Sequence, residues 1–124
     1  MTSDPQPHLV LRETRDGLAI AAVVGALDIY TAPLLCEQAT TLLTTHPHLV
    51  LDMSHVTFCD SSGLNTLLRL RRHAAAADGS LALAAVPAQP MRLLTVTGTD
   101  AVFTLYAGAA EALADHAAHH QPAP

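Results

Sequence analysis

The chain is 124 residues long, 50% hydrophobic, 3% aromatic and 14% charged, with six arginines, no lysine, eleven carboxylates and a formal charge of −5 that leaves out eight histidines. That length predicts one domain, able to bury roughly two-thirds of its unfolded surface without a metal or disulfide to staple it. The acidic balance excludes the broad positive face that nucleic acids demand, and Tyr30, Phe58, Phe103 and Tyr106 are too few for a stacking platform.

Residues 1–7, with Pro5 and Pro7 among polar neighbours, read as a flexible leader, and residues 120–124 as a flexible tail, so the domain is expected over 8–119. The opening Met-Thr-Ser-Asp-Pro has no basic, then apolar, targeting pattern, and no apolar run reaches the roughly 18 residues of a membrane span. A cytoplasmic protein without a membrane partner is expected, with Cys36 and Cys59 as reduced thiols.

His8–Thr14 and Leu18–Gly25 read as strands joined by Arg15-Asp16-Gly17, whose Asp-Gly pair is a hairpin signal. From Thr31, a candidate N-cap, Leu35, Ala39, Leu42 and Leu43 recur at helical spacing, with Pro33 tolerated in the first turn and His46-Pro47 as the stop. Leu49–Met53 is apolar without alternation, which suits a central strand covered on both faces. A loop is expected next. An amphipathic helix follows from about Ser61 to Ala77, carried by Leu64, Leu67 and Leu68 and closed at Asp78-Gly79. Leu81–Val86 reads as a strand, Gln89–Thr95 as a short helix ending near Gly98, Ala101–Tyr106 as a last strand and Gly108–His119 as an Ala-rich closing helix. The alternation predicts an α/β domain with a mixed sheet.

The most informative stretch is Val56-Thr57-Phe58-Cys59-Asp60-Ser61-Ser62-Gly63-Leu64, where hydroxyls cluster at a helix start. Asp60 or Ser61 can cap that helix, and Gly63 can let it pack closely. Phe58 and Cys59 are assigned to the core beneath. The same place suits a phosphoserine, because first-turn N–H groups and the helix dipole favour an added anion. A serine hydrolase using Ser61 or Ser62 is the alternative of a different class, with His55 nearby as a base; against it, the nucleophile elbow needs Gly-x-Ser-x-Gly and no glycine precedes these serines.

A second polar turn, Gly25-Ala26-Leu27-Asp28-Ile29-Tyr30-Thr31, precedes the first helix, with Asp28 or Thr31 available as cap. Loops after parallel strands emerge on one edge of the sheet, so this turn and the Asp60-Ser61 segment can form one exposed patch. His116, His119 and His120 share a helical turn, but without a Cys or carboxylate partner set they read as a solvated tail rather than a metal site. No metal or cofactor is expected.

Gly25-Ala26-Leu27-Asp28 with Thr31 and Leu34, followed by Phe58-Cys59-Asp60-Ser61-Ser62-Gly63-Leu64, resembles the STAS domain of bacterial anti-sigma factor antagonists. Asp78-Gly79-Ser80-Leu81, Arg92–Gly98 and Val102-Phe103 extend the resemblance from about His8 to Leu113. It implies the STAS fold, a mixed sheet of about four or five strands opening on antiparallel strands and flanked by about four helices. It implies a partner-switching protein with no catalysis or cofactor of its own. The unmodified antagonist would bind an anti-sigma factor, a serine kinase of the histidine-kinase-like ATPase fold that uses ATP as its own substrate, and so free a sigma factor. The kinase would phosphorylate Ser61 and end the complex; a metal-dependent serine phosphatase would restore it. Asp28, Ile29, Tyr30, Thr31, Asp60, Ser62, Gly63 and Leu64 are then the expected partner contacts. Ile29 and Tyr30 stand where the family is often polar, and Asn65 and Thr66 replace small or aliphatic residues. Within the same fold, the alternative is a STAS scaffold unconnected to sigma control.

Overall fold

The computed structural model describes residues 8–119; residues 1–7 and 120–124, expected to be flexible, lie outside the described residues. Strands β1 (Leu9–Arg15) and β2 (Leu18–Leu27) form the expected antiparallel hairpin. Arg15 faces Leu18 across a two-residue turn in which Asp16 (φ 49°) and Gly17 (φ 82°) are both left-handed, the conformation that Asp-Gly favours. Then come α1 (Ala32–Thr45), β3 (His48–Cys59), α2 (Ser61–Ala76), β4 (Ser80–Ala84), α3 (Ala88–Thr97), a 3-10 turn at Thr99–Ala101, β5 (Thr104–Tyr106) and α4 (Ala109–His119). The sheet order is β1-β2-β3-β4-β5, with every pair after the first parallel. It is a five-stranded mixed sheet with four helices.

Side chains alternate between the two sheet faces, and the faces differ in size. Ala19, Ala21, Val23, Leu49, Leu51, Leu81 and Leu83 meet Leu35 and Ala39 of α1, Leu67 and Leu70 of α2 and Leu94 of α3 in the main core. Leu18, Ile20, Val50, Ala82 and Ala84 meet Tyr106 of β5 and Ala109, Ala112 and Leu113 of α4 on the other face. The largest fully buried side chains are Leu, Val and Met, as a chain poor in aromatics requires.

Three expectations need correction. β3 does not stop near Met53 in a loop; it runs to Cys59, because Val24, Gly25, Ala26 and Leu27 of β2 keep pairing with His55, Val56, Phe58 and Cys59. The polar Ser54-His55 pair hides that extension in sequence. Phe58 is not core: it is 44% exposed and outside both apolar clusters, whereas Cys59 is buried. The last strand is only Thr104–Tyr106, since the N–H groups of Val102 and Phe103 turn back to Thr99 O and curl the preceding residues into the 3-10 turn.

Both cysteines are free thiols, Cys36 half-buried and Cys59 buried. Burial, then the Asp60 carboxylate, pushes the Cys59 thiol up to about 11. At about pH 8 a thiol reagent should modify native protein at Cys36 first and reach Cys59 only on unfolding, as mass analysis with and without denaturant will read. Because the folded thiol titrates above the unfolded value of about 8.5, the stability from keeping it neutral is complete below that pH and lost as pH rises through about 11.

Candidate functional site

The site is built where β2 and β3 end side by side. Leu27 is paired with Cys59, and the Asp60 N–H donates to Leu27 O at 3.1 Å, so the chain after each strand leaves the same edge of the sheet. Asp60 is extended (φ −111°, ψ −170°) and is the N-cap of α2. Its Oδ1 accepts the N–H groups of Ser62 at 2.9 Å and Gly63 at 3.2 Å, which satisfies two of the orphan donors of the first turn.

Gly63 explains how the helix comes so near the neighbouring strand. A Cβ there would lie 2.6 Å from Leu27 O and 2.7 Å from Leu27 Cβ, inside the contact distance of any real side chain. With a bare Cα, the start of α2 settles directly on the end of β2. Gly63 and Leu64 are buried, so these two predicted contacts lie beneath the surface and support it. Ser61 is exposed in the first turn, and Ser62 is half-buried.

The other half of the site is the turn between β2 and α1. Asp28 Oδ1 accepts from Tyr30 N–H at 2.9 Å and Thr31 N–H at 3.1 Å, while the Thr31 hydroxyl donates to Ala26 O at 2.7 Å and accepts from Asp28 N–H at 3.0 Å. Thr31 holds the N-cap position, yet its side chain closes the turn behind it and caps no α1 amide. This reciprocal network presents two apolar side chains to solvent: Ile29 is 65% exposed and Tyr30 88%. Between α1 and α2, next to Ser62, lies an open groove of about 650 Å³ whose walls include Ile29, Pro33, Glu37, Asn65 and Arg69.

Asp28 is therefore a turn-builder as well as a surface carboxylate. Asp28→Asn should keep the turn, whereas Asp28→Ala should cost about 1 kcal/mol by taking the acceptor from the Tyr30 N–H and leaving the Thr31 N–H only the Asp28 carbonyl, as paired thermal melts will report.

Sequence reading missed Gln89, whose side chain bonds the backbone of Cys59 from α3, and misplaced His116. Rather than a solvated tail residue, His116 is 7% exposed and bonded through Nε2 to Asp16 O at 3.0 Å. His119 turns back to Asp115, and His120 lies outside the described residues. Among the described residues no group of three or more His, Cys, Asp or Glu is placed to hold a metal ion. His55 bonds Ser54 Oγ at 3.0 Å on the exposed part of β3. No helix among the described residues is long and apolar enough to cross a membrane.

The sequence profile of the STAS domain matches residues 10–112. The chain belongs to the STAS domain family. An anti-sigma factor antagonist from Mycobacterium paratuberculosis is 28% identical, over 86% of this chain and 91% of its own, with a TM-score of 0.74. The anti-sigma factor antagonist SpoIIAA of Bacillus, solved in its phosphorylated form, is 19% identical, over 86% of this chain and 97% of its own, with a TM-score of 0.68. A sulfate transporter family protein from Wolinella succinogenes is 19% identical, over 83% of this chain and 87% of its own, with a TM-score of 0.72. The last two likenesses are likenesses of fold, so the STAS fold by itself does not choose between sigma control and service to a transporter.

Proposed function

We propose that this STAS domain is an anti-sigma factor antagonist whose binding is switched by phosphorylation of Ser61. Unphosphorylated, it docks on an anti-sigma factor that is a serine kinase, and so releases a sigma factor in the cytoplasm. The observation that carries the reading is the placement of Ser61: an exposed hydroxyl in the first turn of α2, beside the cap Asp60, at the sheet edge from which the turn bearing the exposed Ile29 and Tyr30 also leaves. The likeness to the Mycobacterium antagonist supports it.

The chemistry is the kinase's. The Ser61 oxygen attacks the γ-phosphorus of ATP, a new P–O bond forms as the bond to ADP breaks, and the hydroxyl proton leaves to a base of the kinase. No cofactor of the STAS domain enters. The product adds ~1.5 to 2 negative charges at the positive end of the helix dipole, so the fold tolerates it while the surface becomes more negative. A partner fitted to Ile29 and Tyr30 next to a neutral hydroxyl would then face a hydrated dianion. A serine phosphatase resets the switch by hydrolysing the ester.

Capture from the native host tests this reading, with Ser61→Ala as bait because it holds the bound state. A kinase of the histidine-kinase-like ATPase fold should be retained. Recovery of no such kinase, or equal recovery on Ser61→Asp, would contradict it.

A further inference from the structure

β4 leaves β3 at the Asp52–Ala84 pair, while β3 continues to Cys59 with only β2 beside it. An edge left in that state is a row of open backbone donors and acceptors. At its last residue the edge is closed by a side chain. Gln89 Oε1 accepts the Cys59 N–H at 2.8 Å, and Gln89 Nε2 donates to Cys59 O at 2.8 Å. The amide makes to Cys59 the two bonds that a facing residue of another strand would make.

Cys59 is thus held from both sides, by Leu27 of β2 and by Gln89 in the first turn of α3. The next residue is the cap Asp60, and the one after it is Ser61. Gln89 itself is exposed and belongs to neither apolar cluster, so its contribution is concentrated on the backbone position of one residue.

We infer that Gln89 is a positioning residue for phosphoryl transfer to Ser61: its amide fixes the end of β3, and through it the cap and the aim of the Ser61 hydroxyl. This rests on Ser61 as the acceptor. A near-attack geometry depends on sub-ångström placement, so a loosened strand end slows transfer more than it weakens docking, which uses Ile29 and Tyr30.

The test has two arms, both on the full chain. Gln89→Met keeps the length and packing of the side chain but makes neither bond. By amide hydrogen exchange, it should speed exchange at Cys59 by about tenfold and disturb Asp60 to Gly63, while Leu49 to Leu51 change by less than about twofold. Unchanged exchange at Cys59, or equal acceleration throughout, would overturn the clamp. With ATP and the kinase captured on the Ser61→Ala bait, kcat for phosphorylation of Gln89→Met should fall by about fivefold or more and KM stay within about twofold. A variant phosphorylated like the wild type would overturn the positioning role. Absence of phosphate from the wild-type chain would be a separate failure, that of Ser61 as acceptor.

Discussion

Ser61→Asp should bind the anti-sigma factor at least about tenfold more weakly than the wild type, a loss of roughly 1.4 kcal/mol or more, while its melting temperature holds or rises slightly. The two effects have opposite signs for one reason. Within the domain, a carboxylate in the first turn of α2 stands at the positive end of the helix dipole, worth about 0.3–1 kcal/mol of stabilisation, although Asp60 already takes the Ser62 and Gly63 N–H groups. Across an interface that takes up the exposed Ile29 and Tyr30, the same charge must lose its water beside the Asp60 carboxylate. Titration calorimetry and a thermal melt on the same sample separate the two. An affinity that falls together with the melting temperature would point to damage of the helix start rather than to a charge switch.

The largest effects on stability should come from two glycines that have no room for a side chain. At Gly79 an added Cβ would stand 1.9 Å from Pro47 O and 2.8 Å from Pro47 C, against backbone that cannot swing away. The carbonyl it strikes accepts the Ser80 N–H at 3.0 Å, the bond that starts β4 beside β3. Gly79→Ala should therefore cost about 3 kcal/mol or more, a large part of the roughly 5–15 kcal/mol that holds a domain together. At Gly63 the nearest atoms are Leu27 O at 2.6 Å, Leu27 Cβ at 2.7 Å and Cys59 Sγ at 3.0 Å, so α2 can tilt off β2 and the expected cost is smaller, about 1–3 kcal/mol. The functional order is reversed. Gly63→Ala moves the turn that carries Ser61 and should impair phosphorylation in molecules that remain folded, whereas folded Gly79→Ala should be phosphorylated normally. Denaturant melts with a phosphorylation assay at low temperature test both, and equal stability of Gly79→Ala and the wild type would contradict the packing argument.

What was legible in the sequence follows from the range of the interaction involved. The Asp16-Gly17 hairpin, the Asp60 cap and the leucine spacing of α2 are settled within a few residues, and the structure has them where the pattern put them. Pairing of β2 with β3 was harder to see: Ser54 and His55 look like loop, yet β2 carries the strand on through them. Phe58 was misplaced for the same cause, since on an extended β3 it falls on the face away from Cys59. Long-range polar contacts left no sequence trace at all. Gln89 reaches Cys59 across thirty positions and His116 reaches Asp16 across a hundred; Gln89 belongs to no local motif, and the histidine spacing around His116 says nothing of Asp16. The Asp-Ser-Ser-Gly-Leu box was the exception among functional features, because one cap, one exposed hydroxyl and one close-packed glycine have to be consecutive to build it.

The most direct measurement is the intact mass of the wild-type chain and of Ser61→Ala after incubation with ATP and the kinase recovered from the native host. The wild type should gain the mass of one phosphate, and Ser61→Ala should gain none while still binding the kinase. Full phosphate incorporation into Ser61→Ala would move the switch to another residue and contradict the account of this site.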